Sequence, residues 1–343
     1  MSSIPLSYDS LKHMLQHLEA SKRIHLARRC PSIRAAEKRV PLQIDCLQLL
    51  RHGGVEINKR SFQMEFHQDP YNIRDVPLYI IGSGCYLGEG AYPPKYIFLK
   101  LSHFVGEQKI ERIENYYQNK SYREALVFLL NMLFGGRNGP IYVRTFINSF
   151  WLKDFYPFSF AVKFRIRHLH IHMMPDPVWK NLEVLRRIID EASFPLKSLM
   201  CCPYRLVDTI RLFEEIAEDV EVPKILFRPQ HVALLTIISN PVAHFLDMRL
   251  TDDVLKALIE HWRSTNRPIG NEYTFTDERT LTPEIHSKME DLREHFNGKT
   301  LDEGTIIIPM NAIAQIKVCY GVHSHFAPNE NWALRVTVEA AES

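Results

Sequence analysis

Near the start of the chain, apolar residues fall at helical spacing: Leu11, Met14, Leu15 and Leu18 form one stripe, with polar residues filling the turns between them. Ser7 or Ser10 is suited to accept hydrogen bonds from the open first turn, and Pro5 stops a helix from reaching further back. A second short helix is expected through Ile24, Leu26, Ala27 and Cys30 up to Pro31. A third runs over Ser32 to Arg39, with the serine as its N-cap. The opening segment, Ile4 to Arg39, thus reads as three short helices.

From Pro41 to about Lys100 the period changes from helical to alternating. Leu42 to Leu50, Val55 to Ile57 and Phe62 to Phe66 read as strands folded back on one another, with the second pair joined at an Asn58-Lys59 turn. Gly82-Ser83-Gly84, Gly88, Gly90 and Pro93-Pro94 mark a loop, and Tyr96 to Leu101 another strand. Ala125, Leu126, Leu129, Leu130 and Leu133 then define a helix over Tyr122 to Phe134, closed by Gly135-Gly136.

Beyond Pro140 short apolar strands alternate with amphipathic helices. Strand centres fall at Leu169, Leu199, Leu226, Met248 and Tyr273, at intervals near the period of leucine-rich and related strand-helix repeats, without an asparagine ladder. The helices between them are placed at Val178 to Asp190, Arg205 to Glu218, near His231, and Asp252 to Arg263. Thr305 to Pro309, Ala314 to Tyr320 and Trp332 to Val338 alternate again and predict a strand-rich end. The expected fold class is α+β or α/β. Its parts are a helical segment over 1–40, a hairpin-rich region over 41–140 and a repeat-like recognition body over 141–343.

Charge narrows the partners. Forty-two basic against 40 acidic side chains leave a net charge of +2, which provides no global field for nucleic acid or acidic lipid, so recognition has to be local. The longest apolar runs, such as Ala125 to Leu130, are too short to span a bilayer, and the first ten residues lack a signal-peptide pattern. Six scattered cysteines without a CxxC pair fit reduced thiols. Cytoplasm or nucleus is the expected location.

The segment IPLSYDSLKHMLQHLEASKRIHLARRCPSIRAAEKR resembles an F-box: an Ile-Pro-Leu start, a leucine-striped helix, a second short helix and a third ending in charge. Followed by hairpins, by LLNMLFGGRNGPIYVRTFIN and by strand-helix units with LIEHWRSTNRPIG, the arrangement is similar to the nematode-expanded families of F-box-associated proteins. Ser7-Tyr8-Asp9 stands where acidic or aliphatic residues usually follow the leading proline, and the third helix carries no tryptophan. The resemblance implies that Ile4, Pro5, Leu6, Leu11, Leu15, Leu18 and Ile24 include residues that dock on the Skp-type adaptor of a cullin-based ubiquitin ligase. It further implies that the body recruits a protein substrate, which it does not name. A helical unit this small cannot bury both sides of its helices, which is the physical reason to look for a partner groove.

Candidate chemistry elsewhere is sparse. His168, His170 and His172 alternate on one expected strand and could share a metal-binding face, but Asp176 is the only nearby carboxylate, so surface histidines on a repeat strand are the preferred reading. His13 and His17 share a helical face without an HExxH glutamate. Gly82-Ser83-Gly84 and Gly135-Gly136-Arg137-Asn138-Gly139 match neither GxGxxG nor a P-loop and read as turns. No GxSxG is present, and Cys201-Cys202-Pro203 lacks an evident histidine and carboxylate escort. Lys163, Arg165 and Arg167 alternate as a basic strand face open to RNA or a phosphopeptide. The expectation is therefore an interaction protein, with no catalytic residues, cofactor, metal, nucleic acid or membrane, and with an F-box-like ligase-adaptor role. A non-ligase scaffold is the alternative, and a metal-dependent enzyme built on the three histidines is the remote one.

Overall fold

The computed structural model describes residues 7–50, 54–67, 96–105, 108–118, 122–149, 162–171, 185–201, 217–226, 233–246, 251–276, 283–322 and 332–341. The expected loop around Gly82 to Pro94, the segments between 202 and 216, and most of Val178 to Asp190 lie outside them. The fold mixes helices and strands, with strands more prominent than a repeat of strand-helix pairs would give. The chain forms two compact units, Met1–His172 with Lys180–Ser193, and Met173–Trp179 with Phe194–Ser343. Contacts made by Glu37 and by the strand Leu42–Leu50 tie the opening helices, the hairpins and 141–171 together.

In the first unit, α1 (Tyr8–His17), α2 (Ala20–Arg29) and α3 (Pro31–Arg39) precede β1 (Leu42–Leu50), β2 (Gly54–Ile57), β3 (Arg60–His67), β4 (Tyr96–Val105) and β5 (Gln108–Gln118). Ser7 caps α1 by accepting from the Ser10 backbone N–H at 3.2 Å. The third helix begins one residue earlier than expected, because Pro31 occupies its first turn with Cys30 as N-cap. Asn58 and Lys59 both take positive φ, 48° and 70°, which fits the twist of a two-residue hairpin between β2 and β3. β5 was not foreseen. Its pairing with β4 shifts register between Leu99 and Lys100, leaving a bulge on this outer strand.

After α4 (Tyr122–Phe134), Gly136 caps the helix at φ 70°, and β6 (Ile141–Asn148) and β7 (Phe164–Ile171) extend the sheet on the other side of β1. The order is β7-β6-β1-β2-β3-β4-β5, parallel from β7 to β1 and antiparallel from β1 to β5. Phe164 anchors this core, with its ring 5.3 Å from Phe134 and 5.8 Å from Phe146.

The three parallel strands break strict alternation at one common level. Buried positions are Leu42, Ile44, Leu47 and Leu49 in β1, then Ile141, Val143, Phe146 and Asn148 in β6, then Phe164, Ile166, Leu169 and Ile171 in β7. Each strand steps by two, three and two, and the registers align the steps. Asp45-Cys46, Arg144-Thr145 and Arg167-His168 thus occupy a shared slip and stay out of the core.

In the second unit, β8 (Ser198–Cys201), β9 (Pro223–Leu226), β10 (Val242–Leu246) and β11 (Glu272–Thr276) run parallel in chain order. Four of the five expected strand centres fall in β7, β8, β9 and β11. Met248 lies outside the described residues, two past the end of β10. Between strands stand the short α5 (Leu234–Ile237) and α6 (Asp252–Ser264), the latter burying Leu255, Leu258, Ile259 and Trp262 on one face. α7 (Pro283–His295) and β12 (Lys299–Asp302) were not foreseen. β13 (Thr305–Pro309), β14 (Ala314–Val322) and β15 (Trp332–Ala340) form the expected strand-rich end, and β15 inserts between β11 and β14 in the order β8-β9-β10-β11-β15-β14-β13-β12. The LIEHWRSTNRPIG motif acts here as packing. Arg267 donates to the Ile238 and Asn240 carbonyls at 3.1 and 3.0 Å and to the Tyr273 hydroxyl at 3.0 Å, and the Trp262 ring lies 4.9 Å from Tyr273.

Candidate functional site

Three helices of only 10, 10 and 9 residues cannot hold together on propensity alone, so what they bury decides what they can offer. Leu15 is fully buried and forms a cluster with Ala36 and Val40, against which Leu11 and Ile33 pack. Ile24 is 2% exposed. Leu15 and Ile24, expected on the docking face, instead point into this chain's own interior. Leu11 and Leu18 are half-buried, and Ile4, Pro5 and Leu6 lie outside the described residues. What α1 presents outward is Tyr8, 49% exposed, and Met14, 42% exposed. Tyr8, Leu11, Met14 and Leu18 follow one another at steps of three, three and four, which is one flank of the helix. His13 and His17 flank it, with their rings edge to face at 4.7 Å.

The inner side of this segment is fixed by a buried ion network that no local pattern of residues announces. Arg23 donates from Nε to Glu37 Oε1 at 2.8 Å, and Arg137 donates from Nη2 to the same oxygen at 2.6 Å. The Arg23, Glu37 and Arg137 side chains are 2%, 2% and 5% exposed. Two cations share one carboxylate, and the excess charge is met by backbone. Arg23 also donates to the carbonyls of Pro41 and Glu37 at 2.8 Å each, of Leu15 at 3.4 Å, and of Val40. Several of these are carbonyls left open at the ends of α1 and α3, where a cation suits the negative end of a helix. Burial pulls the Arg23 guanidinium below its ordinary value, Glu37 pushes it back up, and Arg137 adds to the lowering.

A second tie runs through the hairpin turn. Glu19 caps α2, accepting from the Ser21 and Lys22 backbone N–H groups at 2.9 and 3.1 Å and from the Ser21 hydroxyl at 2.5 Å. Asn58 Nδ2 donates to the same carboxylate at 2.7 Å, while Asn58 Oδ1 accepts from the Cys46 N–H at 2.9 Å. Burial would raise the Glu19 pKa, but the hydrogen bonds from Ser21, Asn58 and Lys22 outweigh it and hold it below the usual value.

Other candidates resolve less chemically. Arg137 of the Gly135-Gly136 turn is committed to Glu37, and a Cβ at Gly136 would meet Lys38 Nζ at 2.9 Å, so α3 already packs over this turn. His168 and His170 are half-buried on β7 beside Thr145 and Ile147 and engage other groups of the protein. His172 lies outside the described residues. Among the described residues no cluster of three or more His, Cys, Asp or Glu is arranged to hold a metal. Cys201 is fully buried in β8. Among the described residues no helix is long and apolar enough to cross a membrane.

Residues 121–279 match the model of a family described as a domain of unknown function, DUF3557. Neither a curated protein nor a solved structure matches the chain. The matched stretch includes Arg137, so the ion network joins the opening helices to it.

Proposed function

We propose that this chain is an F-box-like substrate-recruiting adaptor of a cullin-type ubiquitin ligase, in which the flank of α1 formed by Tyr8, Leu11, Met14 and Leu18 docks on a Skp-type adaptor. The observation that carries this reading is the exposure of Tyr8 and Met14 beside half-buried Leu11 and Leu18, on a helical unit whose opposite side is sealed against the body. An amphipathic helix held rigidly, with two large apolar side chains in solvent, suits a preformed groove, because little ordering entropy remains to be lost on binding. The remainder of the chain is read as an irregular leucine-rich-repeat-like recognition body for an unknown protein. Support for that comes from β8, β9, β10 and β11 running parallel in chain order. No turnover of its own and no cofactor enter this reading, and its setting is the cytoplasm or nucleus.

Burial of Leu15 and Ile24 favours a second reading, in which the same helices are a structural cap on a non-ligase scaffold. One assay separates the two. Full-length protein carrying Tyr8→Asp and Met14→Asp should keep its circular dichroism and lose adaptor binding by at least about tenfold, since single anchor residues are often worth about 2 kcal/mol. Wild-type protein that shows no affinity for purified Skp-type adaptor, or a double variant that binds as well as wild type, leaves the scaffold reading.

A further inference from the structure

β6 and β7 carry a basic row on their exposed face that the proposed adaptor docking leaves unused. Tyr142 pairs with Arg165 in the parallel register, and the Arg165 guanidinium lies over the Tyr142 ring at 5.5 Å. One step along, Arg144 and Arg167 occupy neighbouring positions between the pairs Val143–Ile166 and Thr145–His168. Lys163 precedes β7 with the same alternation, and both Lys163 and Arg167 are exposed. The Arg144 side chain is 65% exposed.

Two carboxylates answer these four cations. Asp190 meets Arg165 at 3.2 Å, and Asp45 of β1 meets Arg144 at 3.5 Å. Among the described residues, Lys163 and Arg167 have no carboxylate partner. The row is therefore undercompensated at both ends of β7's outward alternation, with an aromatic ring, 38% exposed, set into it.

We propose that this face docks an acidic, extended segment of a partner protein. Lys163, Arg165 and Arg167 recur every second residue, about 7 Å apart along a strand, which is the spacing of alternate side chains in any extended peptide. Glu or Asp at every second position of such a segment meets one cation after another, and Tyr142 supplies apolar contact beside them. A polynucleotide fits less well. The whole chain carries only +2, which supplies no extended field for a polyanion beyond this short row. The surface stands independently of whether α1 docks an adaptor.

The test uses full-length protein and fluorescence anisotropy with a labelled extended peptide alternating Glu and Ser, a matched peptide alternating Gln and Ser, and a single-stranded RNA. The Glu peptide should bind, weaken steeply as salt rises, and lose at least about tenfold in affinity to Arg144→Glu with Arg167→Glu, while the Gln peptide binds far more weakly. Both positions are exposed, so the fold should persist. Should that variant misfold, Arg144→Gln with Arg167→Gln carries the same comparison with a smaller loss. No measurable binding of the Glu peptide, equal binding of the Gln peptide, unchanged affinity in the variant, or tighter binding of the RNA with loss in the same variant each overturns the proposal. None of these outcomes bears on adaptor docking, which is read in a separate assay.

Discussion

Arg137 donates to the carboxylate of Glu37 at 2.6 Å across a separation of 100 residues, and both side chains are almost wholly buried. A contact so distant in sequence ties the opening helices into the first unit's interior, and among their described residues Tyr8 and Met14 of α1 are the large apolar side chains left exposed. Removing one member of a buried ionic group is far more damaging than removing a surface pair, because the remaining charges are left uncompensated.

Glu37→Leu should therefore destabilise the protein by about 3–5 kcal/mol, since it strands two guanidinium groups. Arg137→Met should cost distinctly less, because Arg23 and Glu37 remain paired and the excess positive charge is relieved. Urea unfolding followed by circular dichroism measures both. Equal costs for the two variants would overturn the assignment of Glu37 as the residue on which both guanidinium groups depend.

Glu19 gives a pH signature. Its folded pKa lies below the ordinary 4.5, so its contribution to stability is fully present above that value and is lost as pH falls through the folded pKa. Glu19→Gln should cost up to about 1 kcal/mol near neutrality, the usual worth of a half-exposed cap. The gap between wild type and variant should close in acid. Urea midpoints at neutral and strongly acidic pH read the difference, and a gap independent of pH would assign the cost to packing.

Tyr273 sets the opposite limit. Burial raises its phenol from 10.0 to about 12, offset in part by the neighbouring Arg267. A raised folded pKa means that the stabilisation is complete below pH 10 and disappears as pH climbs through 12. Ultraviolet titration should show equal numbers of tyrosines ionising near pH 10 in wild type and Tyr273→Phe, with one more in wild type near pH 12, and the stability of wild type should fall between those two values more steeply than that of Tyr273→Phe. Coincident stability profiles would contradict the assignment.

Elements whose signal is local were legible in the sequence. α4 matches its expected bounds because its leucines repeat at helical spacing up to Gly135-Gly136, and β1 matches because Leu42 to Leu50 is bounded by turns. The hairpin at Asn58-Lys59 was legible because few residues other than glycine and asparagine accept positive φ there. β12 was not, since all four of its residues are exposed and its single apolar residue, Leu301, makes no alternating pattern. Nor was the inward side of α1. Met14 and Leu15 are adjacent and equally apolar, and which of them faces the interior is decided by Ala36 and Val40 arriving from elsewhere. Glu37 read as a charge at a helix end, and Arg137 as a loop residue, because partners 14 and 100 positions away leave no periodicity to find. The basic row was half visible. Lys163, Arg165 and Arg167 alternate in sequence, whereas Arg144 joins them only through the parallel pairing of β6 with β7.

The slip common to β1, β6 and β7 couples the lengths of three strands that lie far apart in the gene. Losing one residue from any of them at that level would restore strict alternation in that strand while its neighbours kept the three-residue step, so its outer half would fall one residue out of register with theirs. The shared step thus makes the residue count of each of these three strands a constraint on the other two, which the connections between them do not share.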